Sequence, residues 1–81
     1  MVTAFVSVSV APGTDEEIVK DFIKDGRVAE AWLTMGEFDI LLIVKVKDAE
    51  EMNDFVNNVV RTRESVIRAT TALGIESIRQ D

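Results

Sequence analysis

The sequence predicts a single α+β domain, covering residues 1–81, with the element order βαββαβ. Four segments carry the alternating or β-branched residues of strands, and two carry apolar residues at helical spacing behind a capping signature. No flexible linker divides the chain, and its length of 81 residues corresponds to one domain. An apolar content of 47% with 30% charged residues is typical of a globular protein rather than a disordered one.

The first strand is predicted from strict alternation over residues 2–10. Every second position is apolar, namely Val2, Ala4, Val6, Val8 and Val10. Ala11-Pro12-Gly13 ends this strand, and Thr14 with Glu17 predicts a capping box at the start of the first helix. The helix carries an apolar stripe of Ile18, Val19, Phe22 and Ile23. We expect Gly26 to adopt the left-handed conformation that often follows a helix.

The second half of the chain repeats this order. Residues 28–33 and 38–47 predict two strands joined by four residues, and the aliphatic run ILLIV indicates that the third strand is buried from both sides. Asp48 and Glu51 predict a second capping box. The helix behind it has an apolar stripe of Met52, Phe55, Val56, Val59 and Val60. Residues 61–65 then lead to a fourth strand over residues 66–78, bent or bulged at Gly74.

This order fits a ferredoxin-like arrangement, in which a four-stranded antiparallel sheet carries both helices on one face. The first and third strands are the most apolar, so we expect them in the centre of the sheet. The opposite face would expose Phe5 or its neighbours, together with Trp32 or Leu33, and such a patch marks a protein interface. Because a domain of this size without cysteine buries a small core, we expect a homodimer through this face or the edge strands.

Composition excludes several classes of function. The net charge of −6, with nine basic and fifteen acidic residues, argues against direct binding of nucleic acid. The chain has no His and no Cys, which removes histidine-based catalytic pairs and thiolate metal centres. No basic leader or membrane span is present, so we expect a cytoplasmic protein without membrane contact. Because thiolate and imidazole ligands are missing, we expect neither a metal nor a cofactor.

Two charged groups have competing interpretations. The carboxylates at the predicted helix starts could be metal ligands, but the helix dipole explains them better: Asp15, Glu16, Glu17, Glu50 and Glu51. Arg61, Arg63 and Arg68 lie near the last strand, where they are either a solvated basic stretch or groups that attract an anion or pair across an interface.

The segment TMGEFD, residues 34–39, lies between the second and third strands. In one interpretation it is a hairpin turn, where Gly36 supplies the positive φ and Glu37 is solvated. In the other, Gly36 lets main-chain N–H groups approach a carboxylate, and Asp39 accepts hydrogen bonds from an ammonium group. A carboxylate and an ammonium group are the two ends of an amino acid.

The stretch VAEAWLTMGEFDILLIVKVKD resembles the part of the Lrp/AsnC effector-binding domain, also called the RAM domain, that carries a Gly-x-x-Asp turn, here Gly36 to Asp39. The first strand ending in Ala-Pro-Gly, the Asp-capped second helix and the last strand with RATTAL agree with that family in order, and the resemblance covers essentially all 81 residues. It implies a ferredoxin-like domain that dimerises through its sheet, assembles dimers into a ring, commonly an octamer, and binds amino acids between dimers.

The resemblance also implies which residues bind the ligand. They are Thr34, Met35, Gly36, Glu37, Phe38 and Asp39 in the turn, with Thr70 and Thr71 at the last strand. Family regulators ordinarily begin with a helix-turn-helix domain, whereas this chain begins at the first strand, so it resembles the stand-alone members. Any effect on transcription would then require co-assembly with a full-length relative. The family's Pro-Gly before the second and fourth strands is replaced by Asp25-Gly26-Arg27 and Arg63-Glu64-Ser65.

Two further functions share this element order. Dimeric α+β barrels include small monooxygenases and isomerases, and fold alone does not separate them from binding domains. The chain has no His, Tyr or Cys for such chemistry, so we expect no enzymatic activity. The other alternative is an oligomerisation module without a ligand, in which residues 34–39 are only a turn.

Overall fold

The computed structural model describes residues 1–80 and confirms the predicted ferredoxin-like α+β fold. Its elements are β1 (Val2–Val10), α1 (Asp15–Phe22), β2 (Val28–Leu33), β3 (Ile40–Val46), α2 (Ala49–Phe55) and β4 (Val66–Leu73). A π-helical turn, Val56–Val60, extends α2. The strands form one antiparallel sheet in the order β2-β3-β1-β4, so β1 and β3 are central as expected. Within these residues, no helix is long and apolar enough to span a membrane.

The core lies between one face of the sheet and the two helices. The sheet contributes the alternate residues of its central strands, and the helices contribute Ile18, Phe22, Met52, Phe55, Val56 and Val60. The fully buried strand residues include Ala4, Val6, Val8, Ile40, Leu42 and Val44. Burial of each large aliphatic or aromatic side chain contributes about 1.5–3 kcal/mol. The apolar residues that recur at every second position in the strands therefore pack in one core against those that recur at every third or fourth position in the helices.

The opposite face of the sheet, which we call the open face, is apolar at its centre. The strand register places Phe5 opposite Ile43, and Trp32 opposite Leu41. Phe5 is 39% exposed and Trp32 is 56% exposed. Leu33 pairs with the buried Ile40 and lies on the helix side, so Trp32 rather than Leu33 lies on the open face. Burial of β3 from both sides is wrong for the single chain, because Leu41 and Ile43 are only half-buried.

The two predicted helix caps differ in outcome. The Asp48 cap is confirmed, since its carboxylate accepts a hydrogen bond from the Glu51 N–H at 2.9 Å. The Thr14 capping box is wrong: the Thr14 hydroxyl donates to the Ala11 carbonyl at 2.7 Å and makes no cap bond. Thr14 has helical φ and ψ of −104° and −3°, unlike the extended conformation of a capping residue.

The end of α1 also departs from the sequence prediction. The helix ends at Phe22, and Ile23, assigned to the apolar stripe, is 55% exposed. Gly26 does not adopt a positive φ, because the chain leaves α1 through successive turns in the right-handed region. The left-handed glycine of this half is Gly13, at φ +84°, in the turn that follows β1.

The strand ends near the site are corrected as well. β3 begins at Ile40 rather than at residue 38. The connection from β2 is therefore residues 34–39, which is longer than the four residues predicted. β4 ends at Leu73 instead of residue 78, and the Gly74 N–H makes a last hydrogen bond to the Thr3 carbonyl. The irregularity predicted at Gly74 occurs between Ser9 and Val10, where the register on β4 skips one residue.

Candidate functional site

The turn at residues 34–39 is closed by two hydrogen bonds of Thr34. Its main-chain N–H donates to the Asp39 carbonyl at 2.8 Å, and its hydroxyl donates to the Phe38 carbonyl at 2.7 Å. Gly36 has φ +147°, which confirms the predicted positive φ. A Cβ at Gly36 would meet no atom within 4 Å, so the turn requires glycine for its conformation rather than for space.

The tip of this turn presents unused main-chain donors. Among residues 1–80, no acceptor is found for the N–H groups of Met35, Gly36, Glu37 and Phe38. Met35 is fully exposed, and the segment is open to solvent up to Phe38, which is half-buried. Successive N–H groups in a turn can form a concave site for an anion. The backbone here therefore offers four hydrogen-bond donors to solvent or to an anion.

Asp39 joins the turn to the end of β1. Its Oδ2 accepts a hydrogen bond from the Val10 N–H at 2.9 Å, and its own N–H donates to the Val8 carbonyl at 3.0 Å. Within the described chain, its Oδ1 has no hydrogen-bond partner. Asp39 thus stabilises the register irregularity at Val10 and leaves one carboxylate oxygen without a partner in the described residues. The sequence carried no signal for the first role, since the two residues are 29 positions apart.

Arg68 of β4 contacts the turn, which the sequence analysis missed. Its Nη2 lies 3.2 Å from the Glu37 Oε2, and its guanidinium carbon lies 4.8 Å from the centre of the Phe38 ring. The other two arginines of the basic stretch point elsewhere. Arg63 pairs with Asp21 at 2.6 Å, and Arg61 donates to the Ala69 carbonyl at 3.0 Å.

The two threonines of β4 lie on different faces of the sheet. Thr70 pairs with Ser7 on the open face, as Arg68 pairs with Ser9. Two strand residues span about 7 Å, so Thr70 lies next to Arg68 along the open face. Thr71 pairs with the buried Val6 on the helix side. The fold therefore brings Thr70, but not Thr71, toward the contact between Arg68 and the turn.

The turn lines neither of the two largest clefts found in the described residues. Two clefts of about 470 Å³ lie elsewhere in residues 1–80, one beside Phe5 and residues 74–77, the other between Thr14 and residues 62–65. A ligand at the turn would contact one open surface, so an enclosed site requires a second surface. No group of three or more carboxylates that could hold a metal ion is found in the described residues.

Comparison with known proteins identifies relatives along the whole domain. The family model for the Lrp/AsnC ligand binding domain matches residues 3–81. An uncharacterized HTH-type transcriptional regulator of Pyrococcus abyssi is 32% identical over 79 residues, which are 98% of this chain and 53% of the relative. The chain thus spans about half the length of the curated relatives it matches.

Two solved structures illustrate the likeness of the fold. TTHA0845 of Thermus thermophilus superposes with a TM-score of 0.91 at 28% identity, covering 99% of this chain and 100% of that one. The transcriptional regulator NMB0573 of Neisseria meningitidis, solved as a complex with L-Met, superposes at 0.86 with 23% identity, covering 98% and 53%. At that identity the second likeness concerns the fold alone. By the match of its family model to residues 3–81, the chain belongs to the Lrp/AsnC ligand-binding domain family.

Proposed function

We propose that this domain binds a free amino acid at the turn formed by residues 34–39 and performs no chemistry on it. The observation that carries the proposal is that one turn holds both kinds of group: within the described residues, the N–H groups from Met35 to Phe38 have no acceptor, and the Asp39 Oδ1 has no donor. The N–H groups would take the ligand carboxylate, and Asp39 would take the ammonium group. Both ends of a zwitterion would then have a hydrogen-bonding partner, neutral N–H donors for the carboxylate and a charged carboxylate for the ammonium group.

Membership of the Lrp/AsnC ligand-binding domain family supports an amino acid as the ligand. The Neisseria meningitidis regulator of the same fold was solved with L-Met, which makes L-methionine the first compound to test. By extension from the regulators among its relatives, the domain would influence transcription through a full-length Lrp/AsnC partner with which it co-assembles.

The second surface that encloses the ligand is proposed to be another copy of the chain. The open face exposes Phe5 and Trp32, and a twofold dimer would cover both. Dimers would then join into a ring, such as an octamer, in which the turns of neighbouring dimers share the ligand. A ligand bound only by the assembled form stabilises that form by mass action, so amino-acid concentration would control assembly.

Ligand binding is tested by a thermal-shift screen of the twenty amino acids, followed by titration calorimetry with L-methionine and any stronger hit. Asp39→Asn is the informative variant, because its amide oxygen can still accept from the Val10 N–H while its negative charge is lost. We expect affinity to fall about tenfold or more, in line with loss of a charged hydrogen bond. Glu64→Gln, an exposed charge change outside the turn, should bind like the wild type. Unchanged affinity in Asp39→Asn would remove the ammonium-acceptor role.

Assembly is tested by native mass spectrometry with and without amino acids, which reports subunit number and bound mass together. We expect Trp32→Lys to produce monomers, because it places a charge in the open face. Ile23→Lys is the matched control, since Ile23 is equally exposed, at 55%, at the end of α1. A wild type that remains monomeric at micromolar concentration would contradict the shared site. A ring that never retains an amino acid would instead favour an oligomerisation module without a ligand.

A further inference from the structure

We propose that Arg68 holds the carboxylate of the amino acid and that Glu37 occupies Arg68 when no ligand is bound. The inference rests on the proposed function and specifies it further. It requires the ligand to have a free carboxylate. It also makes the Glu37 carboxylate a competitor of the ligand carboxylate for Arg68. Arg68 and Glu37 lie 31 residues apart in the chain.

The geometry places a cation beside the free main-chain donors of the turn. The Arg68 guanidinium contacts Glu37 and lies over the Phe38 ring at 4.8 Å. The N–H groups of Glu37 and Phe38 are two of the four turn N–H groups for which no acceptor is found in the described residues. A carboxylate at this point could therefore accept from the guanidinium and from the backbone at once.

Arg68 has donors left over for such a ligand. A guanidinium carries five N–H donors in a planar fork that suits two-point binding of a carboxylate. The Glu37 contact uses one of them, from Nη2 to Oε2 at 3.2 Å. The ring of Phe38 supports the guanidinium plane independently of which carboxylate is bound. Arg68 is thus held in place while one carboxylate replaces another.

The internal ion pair is weak enough to be displaced. The Arg68 side chain is 56% exposed and that of Glu37 is 73% exposed, and pairs this open to water contribute little to stability. The amino-acid carboxylate would gain a two-point contact with Arg68 and the turn N–H groups, which Glu37 does not make. Glu37 then acts as a placeholder that screens Arg68 from other anions and lowers the affinity for the effector.

The test compares an amino acid with its carboxamide, which keeps the ammonium group and side chain but has no carboxylate. L-methionine and L-methioninamide are the first pair, followed by the strongest hit of the screen and its amide. We expect the wild type to prefer the acid by about tenfold or more. Arg68→Met should weaken this preference by about fivefold or more, leaving the part that the turn N–H groups contribute. Glu37→Gln should tighten binding of the acid by up to about fivefold without tightening binding of the amide.

Matched controls separate this role from general charge effects and from folding. Arg63→Met and Glu64→Gln make the same charge changes outside the turn and should leave the preference for the acid as in the wild type. Circular dichroism confirms that each variant is folded, and Glu37→Gln tests the competition even if Arg68→Met unfolds. An Arg68→Met variant whose preference for the acid is as large as that of the wild type, or a Glu37→Gln variant without tighter binding, overturns the inference. Binding of none of the twenty amino acids by the wild type would instead overturn the proposed function on which it rests.

Discussion

In the part of the chain that the structure describes, two arginines lie over phenylalanine rings, one on either side of β2. Arg27, just before β2, lies over Phe55 at 5.2 Å, and Arg68 lies over Phe38, just after β2, at 4.8 Å. The ring distances are similar, but the surroundings differ. The Arg27 side chain is 27% exposed and faces three carboxylates, whereas Arg68 is 56% exposed and faces only Glu37 within residues 1–80.

All three guanidinium nitrogens of Arg27 are engaged by neighbouring carboxylates. Its Nε and Nη2 bind both oxygens of Asp25, at 3.0 and 2.8 Å, and its Nη1 lies 3.4 Å from Asp54. Hydrogen bonds from Arg27 lower the pKa of Asp25, and Asp25 in turn raises the pKa of Arg27. With its donors engaged and its ring partner fully buried, Arg27 ties the start of β2 to α2. The same pair of residue types is enclosed with its donors engaged before β2, and open to solvent with donors left over after β2.

The largest expected difference is in the free energy of unfolding lost when each of the two phenylalanine rings is removed. Phe55→Ala removes a side chain with no exposed surface, so the free energy of unfolding should fall by about 3–5 kcal/mol. Phe38→Ala should cost about 1 kcal/mol, because Phe38 is only half-buried. Urea unfolding of both variants measures this. Equal losses would mean that the turn is as tightly packed as the core.

The two arginines should differ by less. Arg27→Met leaves Asp25 partly buried without its partner, and we expect a loss of about 1–3 kcal/mol. Arg68→Met should change stability by no more than about 0.5 kcal/mol, as for most exposed positions. Denaturant midpoints of the two variants provide the comparison. A strongly destabilised Arg68→Met variant would show that the open contact is structural too.

Two glycines on either side of β2 extend the comparison to the backbone. Gly36→Ala should lower stability by about 1 kcal/mol, since alanine is strained at φ +147° although no atom obstructs its Cβ. Gly26→Ala should change stability by no more than about 0.5 kcal/mol. Gly26 does not have a positive φ, and a Cβ at this position would meet no atom within 4 Å. Thermal unfolding of both variants tests this. A neutral Gly36→Ala variant would argue against the observed turn conformation.

The smallest expected effect is the loss of stability at low pH that results from protonation of Asp25. The pKa of Asp25 is lowered from its ordinary value of 3.8 by Arg27, so its contribution to stability is complete above that value and is lost as pH falls through the lower folded-state pKa. The wild type should therefore be more stable than Asp25→Asn at neutral pH, with the difference shrinking below about pH 4. Urea unfolding from about pH 7 to about pH 2.5 gives both curves. A difference that does not change with pH would contradict the charge-based role of Asp25.

The comparison also shows where sequence patterns suffice. Alternation predicted β1, and the high apolar content of β1 and β3 predicted their central position. The short-range signal of Asp48 and Glu51 predicted a cap that the structure contains. The family resemblance is confirmed over residues 3–81. Local signals were wrong where a competing partner was close. The Thr14 hydroxyl bonds to Ala11 instead of capping α1, and β4 ends at Leu73 because pairing with β1 ends there.

The sequence by itself determined the element order, the two apolar periods and the glycine of the turn, because these depend on neighbours within a few positions. Only the tertiary structure decided which charges meet. Asp39 reaches Val10 across 29 positions and Arg68 reaches Glu37 across 31, and both contacts depend on strand register. Register follows from burial of the whole apolar face, since a slip of one residue would turn every side chain to the other face. The partners of the turn are therefore a property of the folded sheet and not of the turn sequence.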